Sequence, residues 1–160
     1  MKKKLFLICP ECHIEQEIRD KFDGDIYFLT ALGAVFCPLE SDEAGEICDL
    51  ISREEISEVG IVCATSCSFI QSIINDHEFR NTAAEVSLLQ LYQSHPVEFA
   101  LSATKAERAE DLSRLNIANQ IKLLHEDRQI GPKISSNQVS LKGYVYNPER
   151  SSFHEAGVAV

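Results

Sequence analysis

The chain lacks any apolar run long enough to cross a membrane, and it has no internal repeat and no low-complexity linker. A membrane-spanning helix needs about 20 consecutive apolar residues. Basic residues are in deficit, because 15 lysines and arginines stand against 25 aspartates and glutamates, for a formal net charge of −10. That charge argues against a nucleic acid or an anionic membrane as partner. The 160 residues suffice for one domain with a substantial core.

We also expect no export signal. The lysines after Met1 precede only a short apolar run, which Pro10, Glu11 and His13 interrupt. A cytoplasmic protein is therefore expected, in which the six cysteines are thiols. Metal binding or redox chemistry is then favoured over a disulfide framework.

Two short apolar runs end in cysteines. Residues 5–9 read Leu-Phe-Leu-Ile-Cys, and residues 59–63 read Val-Gly-Ile-Val-Cys. The carboxyl ends of parallel strands share one edge of a sheet, and crevices form there. Two such strands side by side would bring four thiols into one pocket, those of Cys9, Cys12, Cys63 and Cys67.

Strands and helices are expected to alternate along the chain. Apolar runs predict strands at 5–9, 25–30, 59–63 and 138–146, and 152–160 is predicted to return as an edge strand. Amphipathic patterns predict helices at 14–22, 47–56, 69–74, 83–92 and 105–124. Residues 38–45 are predicted to be an acidic loop, 96–103 fits either a strand or a helix start, and Gly131-Pro132 predicts a break.

This order indicates an α/β fold, with a mainly parallel β-sheet flanked by helices. An antiparallel strand or two is expected at one edge, with 138–146 as one of them. The small residues around Gly33, after the second strand, would let the backbone come close to a neighbouring group.

Three segments, taken in order, resemble the β-class carbonic anhydrases. Residues 25–33 resemble that family's second strand, and residues 115–124 and 139–146 resemble its late helix and its penultimate strand. The resemblance implies a single domain over residues 1–160 that lacks the family's N-terminal helical arm. It also implies a homodimer, a zinc cofactor, and carbon dioxide or bicarbonate as a small-molecule substrate.

The family carries its chemistry on two motifs, C-x-D-x-R after the first strand and H-x-x-C after the third. Two cysteines and the histidine hold zinc, and the aspartate–arginine pair orients a water molecule. Cys9 and Cys67 match the two cysteines. Glu11 and His13 stand at the positions of the aspartate and the arginine, so they are the candidate catalytic residues. Ala64, at the position of the histidine, cannot bind a metal.

Three residues could supply the missing third ligand. Cys63 could do so after a shift of one residue, and we place it in the expected ligand set with Cys9 and Cys67. His13 could instead turn inward as an imidazole ligand. Cys12 could join the other three cysteines in a closed four-thiolate site, which would leave no position for water.

Two other classes of function fit the same residues. Cys9 and Cys12, after a strand and before a helix, resemble a glutaredoxin-type redox pair, and a helix N-terminus lowers the pKa of a thiol. With His13 the segment also fits the C-x-x-C-H pattern of haem attachment, although no export signal accompanies it. The third hypothesis is a non-catalytic binding module that keeps the fold and has lost the catalytic set.

Overall fold

One five-stranded sheet forms the centre of the molecule in the computed structural model, which describes residues 1–36, 39–77, 81–101 and 104–156. The strands are β1 (Lys3–Ile8), β2 (Asp25–Thr30), β3 (Glu58–Ala64), β4 (Ser140–Asn147) and β5 (Ser152–Ala156). Their order across the sheet is β2-β1-β3-β4-β5. The helices are α1 (Glu15–Lys21), α2 (Ser41–Glu54), α3 (Ser68–Ile74), α4 (Ala83–Ser94), α5 (Pro96–Leu101), α6 (Lys105–Glu126) and α7 (Gly131–Ser135). The predicted α/β class and its mainly parallel sheet are confirmed.

The direction of β4 differs from the prediction. β4 pairs in parallel with β3, and only β5 pairs with it in the antiparallel direction. Residues 138–146 were therefore wrongly predicted to form an antiparallel edge strand. Helices α3 to α7 lie between β3 and β4, and a long crossover of this kind returns the chain for parallel pairing. The predicted edge strand is confirmed as β5 up to Ala156, and residues 157–160 lie outside the described residues.

The core is divided between the two faces of the sheet by the alternation of side chains in β1. Leu5 and Leu7 belong to one buried cluster, which includes residues of α2, α6 and α7. Phe6 and Ile8 belong to another cluster, which includes Ile18 of α1. Neighbouring residues of a strand point to opposite faces, so a strand buried on both sides is apolar without interruption. This is the reason why the first apolar run predicted β1 correctly.

Helix α2 begins earlier than expected. Residues 38–45 were predicted to be a loop, but α2 starts at Ser41, while Pro38 lies outside the described residues. Glu43 accepts a hydrogen bond from the backbone N–H of Glu40 at 3.0 Å, as in a capping box. The acidic residues thus occupy the first turn of a helix, where negative charge is favourable.

Two further segments, which the sequence left ambiguous or predicted as a break, form helices. Pro96–Leu101 forms α5, and Gly131–Ser135 forms α7 rather than a simple break. Both contain proline in the first turn, where its missing N–H costs no hydrogen bond. No helix in the described part of the chain combines the length and the apolar character that a membrane span requires.

Candidate metal centre

The carboxyl ends of β1 and β3 bring two distant cysteines together. The two strands are parallel neighbours, with Leu7 opposite Ile61. Cys9 directly follows β1, and Cys67 follows β3 after a turn in which its N–H donates to the carbonyl of Ala64 at 3.0 Å. Both cysteines are buried. The sheet edge that the sequence indicated therefore gathers residues 58 positions apart in the chain.

A short 3-10 turn, Pro10–Cys12, adds a third thiol. The turn is closed by a hydrogen bond of 3.2 Å from the N–H of Cys12 to the carbonyl of Cys9. The Sγ atoms of Cys9, Cys12 and Cys67 all lie within 4.8 Å of one another. We call these three residues the thiol cluster. Cys12 is half-buried, so it connects the cluster with the surface.

The pKa values of the three thiols in the cluster are shifted in different directions. A hydrogen bond with the Cys12 thiol, and then one with the Cys67 thiol, lower the pKa of Cys9 to about 2. The hydrogen bonds with Cys67 and Cys9, together with burial, raise the pKa of Cys12 above its ordinary value. Hydrogen bonding with Cys12 lowers the pKa of Cys67, but the bond with Cys9 and burial outweigh it and raise that pKa to about 12. The shared hydrogen bonds thus favour the ionised form at Cys9 and the protonated form at Cys12 and Cys67.

The backbone of the turn after β2 contributes one more donor. The N–H of Gly33 donates to the Sγ of Cys9 at 3.2 Å. Gly33 has a positive φ of 66°, which glycine adopts without strain. The close backbone approach that the small residues indicated therefore has a specific target, the sulfur of Cys9.

The donor set fits a thiophilic divalent metal such as zinc. Zinc binds thiolates at about 2.3 Å, and tetrahedral geometry then separates two bound sulfurs by somewhat less than 4 Å. Three sulfurs within 4.8 Å of one another can reach such positions by small side-chain rotations. Within the described residues the group of potential ligands has these three members, so a bound ion would retain a fourth position.

Cys63, the third ligand expected from the sequence, has a different environment. Its side chain packs in the cluster that contains Leu7 and Ile117, and the Nδ2 of Asn116 donates to its Sγ at 3.3 Å. Burial raises its pKa to about 12. Cys63 lies outside the group of three thiols, so the geometry favours Cys12 as the third ligand. The assignment of Cys63 stays a prediction.

Glu11 and His13 flank Cys12 in the chain and are exposed. Glu11 accepts a hydrogen bond from the hydroxyl of Ser68, at the start of α3. His13 has a left-handed backbone conformation, with φ 50°, and follows the turn that carries Cys12. Ser68 was not identified from the sequence, because a serine after a cysteine carries no distinctive signal.

Ala64, at the position where the family has its histidine, is fully buried. It packs in the cluster that contains Tyr146, with Phe153 against it. The side chain at this position therefore belongs to the core.

Comparisons with solved structures confirm the fold class described above. Solved structures match over nearly the whole chain. A β-carbonic anhydrase of the fungus Aspergillus fumigatus superposes with a TM-score of 0.82 at 18% identity, over 99% of this chain and 77% of that chain. The chain has the β-carbonic anhydrase fold.

Two other β-carbonic anhydrase structures show the same likeness. One of two tetrameric enzymes from the ascomycete Sordaria macrospora has a TM-score of 0.82 at 15% identity, covering 99% of this chain and 82% of that chain. The Coccomyxa enzyme in complex with acetazolamide has a TM-score of 0.75 at 11% identity, covering 96% and 71%. No family model and no curated protein matches the chain. The likeness is therefore one of fold.

Proposed function

We propose that this protein binds zinc through Cys9, Cys12 and Cys67 and is a divergent, carbonic anhydrase-like zinc protein. The observation that carries the proposal is the grouping of the three Sγ atoms within 4.8 Å of one another, at the sheet edge of a β-carbonic anhydrase fold. The donors come from two segments that only the folded chain brings together. Such a site is selective for an ion that prefers sulfur and tetrahedral geometry.

The charge of the ligand set bears on activity. A bound zinc ion with an open fourth position can act as a Lewis acid toward water. Three thiolates would place three negative charges around two positive ones, and Glu11, which directly precedes Cys12, adds a carboxylate nearby in the chain. These negative charges would disfavour the binding of a further anion at the fourth position of the ion. We therefore expect the hydration of carbon dioxide to be slow, with Glu11, held by Ser68, as the group that would orient a water molecule.

The thiol redox alternative is less well supported by the same geometry. Thiol–disulfide exchange needs an accessible thiolate. Here the cysteine with the lowered pKa is Cys9, which is 1% exposed, while the more accessible Cys12 has a raised pKa. The arrangement protects the thiolate from external disulfides, as suits a metal ligand.

Zinc content tests the proposal directly. Protein purified without added metal is analysed by native mass spectrometry and elemental analysis, and one zinc per chain is expected. Replacement of Cys9, Cys12 or Cys67 by serine should abolish stoichiometric zinc binding, because each substitution removes one sulfur donor. Cys48→Ser is the matched control, since Cys48 lies on α2 outside the thiol cluster. Metal-free wild-type protein with an intact fold would refute the zinc site.

Cys63→Ala decides between the two candidates for the third ligand. If Cys12 is the ligand, the Cys63 variant retains one zinc per chain and Cys12→Ser loses it. The opposite pattern would restore Cys63 to the ligand set. A stopped-flow assay of the zinc-loaded wild-type protein then measures the hydration of carbon dioxide, and a rate equal to that of buffer would leave the ion structural.

We also propose a homodimer in the cytoplasm. The Sordaria macrospora enzymes are tetrameric, and β2 is an edge strand with a half-buried apolar stretch from Ile26 to Leu29. The described cysteines are free thiols, which a reducing compartment would maintain. Light scattering coupled to size-exclusion chromatography gives the mass in solution, and a monomer at micromolar concentration would refute the dimer.

A further inference from the structure

A buried asparagine of α6 connects the helix with the thiol cluster through one residue, Gly33. The Nδ2 of Asn116 donates to the carbonyl of Gly33 at 3.0 Å and to the Sγ of Cys63 at 3.3 Å. The N–H of Gly33 in turn donates to the Sγ of Cys9 at 3.2 Å. Asn116 is fully buried, and a polar side chain in such a position needs a structural or functional reason.

The orientation of the Asn116 amide follows from these contacts. A carbonyl oxygen can only accept a hydrogen bond, so the NH₂ group must face Gly33. Its Oδ1 makes no hydrogen bond to the described residues. The two donated bonds therefore fix the side chain, and through it the backbone of the turn.

Gly33 is held tightly from the other side as well. A Cβ atom at this position would lie 3.2 Å from Cδ1 of Leu88 and 3.3 Å from Cβ of Ala84. Gly33 thus lies against α4, its carbonyl accepts from Asn116, and its N–H donates to the sulfur of Cys9.

We infer that Asn116 is a positioning residue of the metal centre, which orients the Gly33 N–H toward Cys9. This inference rests on the proposed zinc site. The N–H···S bond neutralises part of the charge on the Cys9 thiolate and restricts its rotation, as hydrogen bonds to metal ligands do in other metal sites. Asn116 lies outside the group of three thiols, so it would act on the site through Gly33.

The chain offers a matched control one helical turn along α6. The N–H of Phe36 donates to Oε1 of Gln120 at 2.8 Å, and Gln120 is also fully buried. Asn116 and Gln120 therefore hold the same backbone segment from the same helix. Only Asn116 holds the residue that contacts a thiolate.

The experiment compares Asn116→Leu with Gln120→Leu, because leucine retains the approximate shape and removes the polar groups. Zinc affinity is measured by competition with a chromophoric chelator, and circular dichroism confirms the fold. We expect Asn116→Leu to weaken zinc binding about 10- to 100-fold, the range typical of groups that orient metal ligands. Gln120→Leu should change it less than threefold.

A spectroscopic readout separates orientation of the thiolate from general packing. In cobalt-substituted protein, loss of the N–H···S bond raises the energy of the sulfur lone pairs. The thiolate-to-cobalt charge-transfer band should then shift to longer wavelength in Asn116→Leu and remain in place in Gln120→Leu. Equal affinities and equal bands in Asn116→Leu and wild type would overturn the inference, and so would equal changes in the two variants.

A measurement on the wild-type protein covers the case in which Asn116→Leu does not fold. With ¹¹³Cd in place of zinc, the Gly33 amide proton should show scalar coupling to the metal through the N–H···S bond. A cadmium-loaded protein without this coupling would overturn the inference and leave the metal site standing. Failure of the wild type to bind zinc, cobalt or cadmium would instead refute the proposed function itself, and the inference with it.

Discussion

Single residues decide what this β-carbonic anhydrase fold can bind. Ala64 fills the position of the family's histidine with a methyl group buried against aromatic rings, and Cys12 brings a thiol to the cluster from a different segment. In the proposed zinc site, a thiolate in place of the imidazole would change the charge of the site rather than the number of its ligands. Reactivity should therefore depend on residue 12 more than on any other.

A substitution at this residue tests the charge argument. Cys12→His would give a site of two thiolates and one neutral imidazole, with one negative charge fewer. We expect zinc binding to persist and carbon dioxide hydration to increase at least tenfold over the wild type, measured by stopped flow on zinc-loaded proteins. Cys12→Ser is the control that removes the donor altogether. An unchanged rate with zinc bound would show that charge does not limit the reaction.

Tyr144 predicts a dependence of stability on alkaline pH. Burial, followed by the charges of Glu58 and Glu155, raises its pKa from 10.0 to about 12. The unfolded chain therefore loses this proton at lower pH than the folded chain. The contribution of Tyr144 is fully present below pH 10 and is lost as the pH rises through 12, by about 3 kcal/mol in total.

Urea denaturation of the metal-free protein at several pH values measures this effect. Tyr144→Phe should reduce the fall in the free energy of unfolding between pH 10 and 12, because phenylalanine has no proton to lose. Tyr92→Phe serves as the control, since Tyr92 is a half-buried residue of α4 away from Glu58. An identical slope in wild type and Tyr144→Phe would contradict the expectation.

At the scale of elements, α6 packs closely against β4. A Cβ on Gly143 of β4 would collide with Cγ2 of Ile117 and would lie 2.9 Å from the carbonyl oxygen of Ala156 in β5. Gly143 thus permits the helix and the edge strand to approach the same point of the sheet. The same helix carries Asn116, so its distance from the sheet also sets the hydrogen bond to Gly33.

Gly143→Ala should therefore destabilise the protein by about 1–3 kcal/mol, the usual cost of overpacking. Urea denaturation provides the measurement. Ile117→Ala removes the colliding methyl group, so the double variant should be more stable than the sum of the two single effects predicts. Strict additivity would show that the collision with Ile117 is not the cause.

The elements were also the level at which the sequence was most informative. Uninterrupted apolar runs identified β1 and β3, because a strand that is buried on both faces has apolar residues at nearly every position. The direction of β4 could not be predicted, since it depends on how the whole crossover returns the chain. The start of α2 was missed because carboxylates are common both in loops and in first helical turns.

The thiol cluster could also be predicted only in part from the sequence. Adjacent parallel strands were enough to place Cys9 near Cys67. Choosing between Cys12 and Cys63 required side-chain directions, which spacing alone does not give. Asn116 carried no signal at all, because its partner Gly33 is 83 residues away.

At the scale of the whole molecule, a metal at the thiol cluster would link the first and third strands of the chain. A ligand that binds only the folded state stabilises it by RT ln(1 + [L]/Kd), about 2.7 kcal/mol at a hundredfold excess over Kd. For a domain of this size that corresponds to roughly 5–10 °C in Tm. Zinc should therefore raise Tm by this amount in differential scanning calorimetry, and a strong chelator should reverse the rise.

Cys9→Ser is the control for this prediction, because without one of the three sulfurs the Tm should not respond to zinc. A wild-type Tm that is independent of zinc would contradict it. A response of similar size in Cys9→Ser would point to metal binding elsewhere in the molecule.

The short 3-10 turn has a consequence for the order in which a metal site of this kind assembles. Cys9 and Cys12 are neighbours in the chain and can chelate an ion locally before any strand pairs, whereas Cys67 arrives only when β3 docks beside β1. The coordination sphere would thus be completed in two stages. The absorption of a cobalt ion added to the refolding chain would change when β3 docks beside β1. This change would report the time at which the central sheet forms.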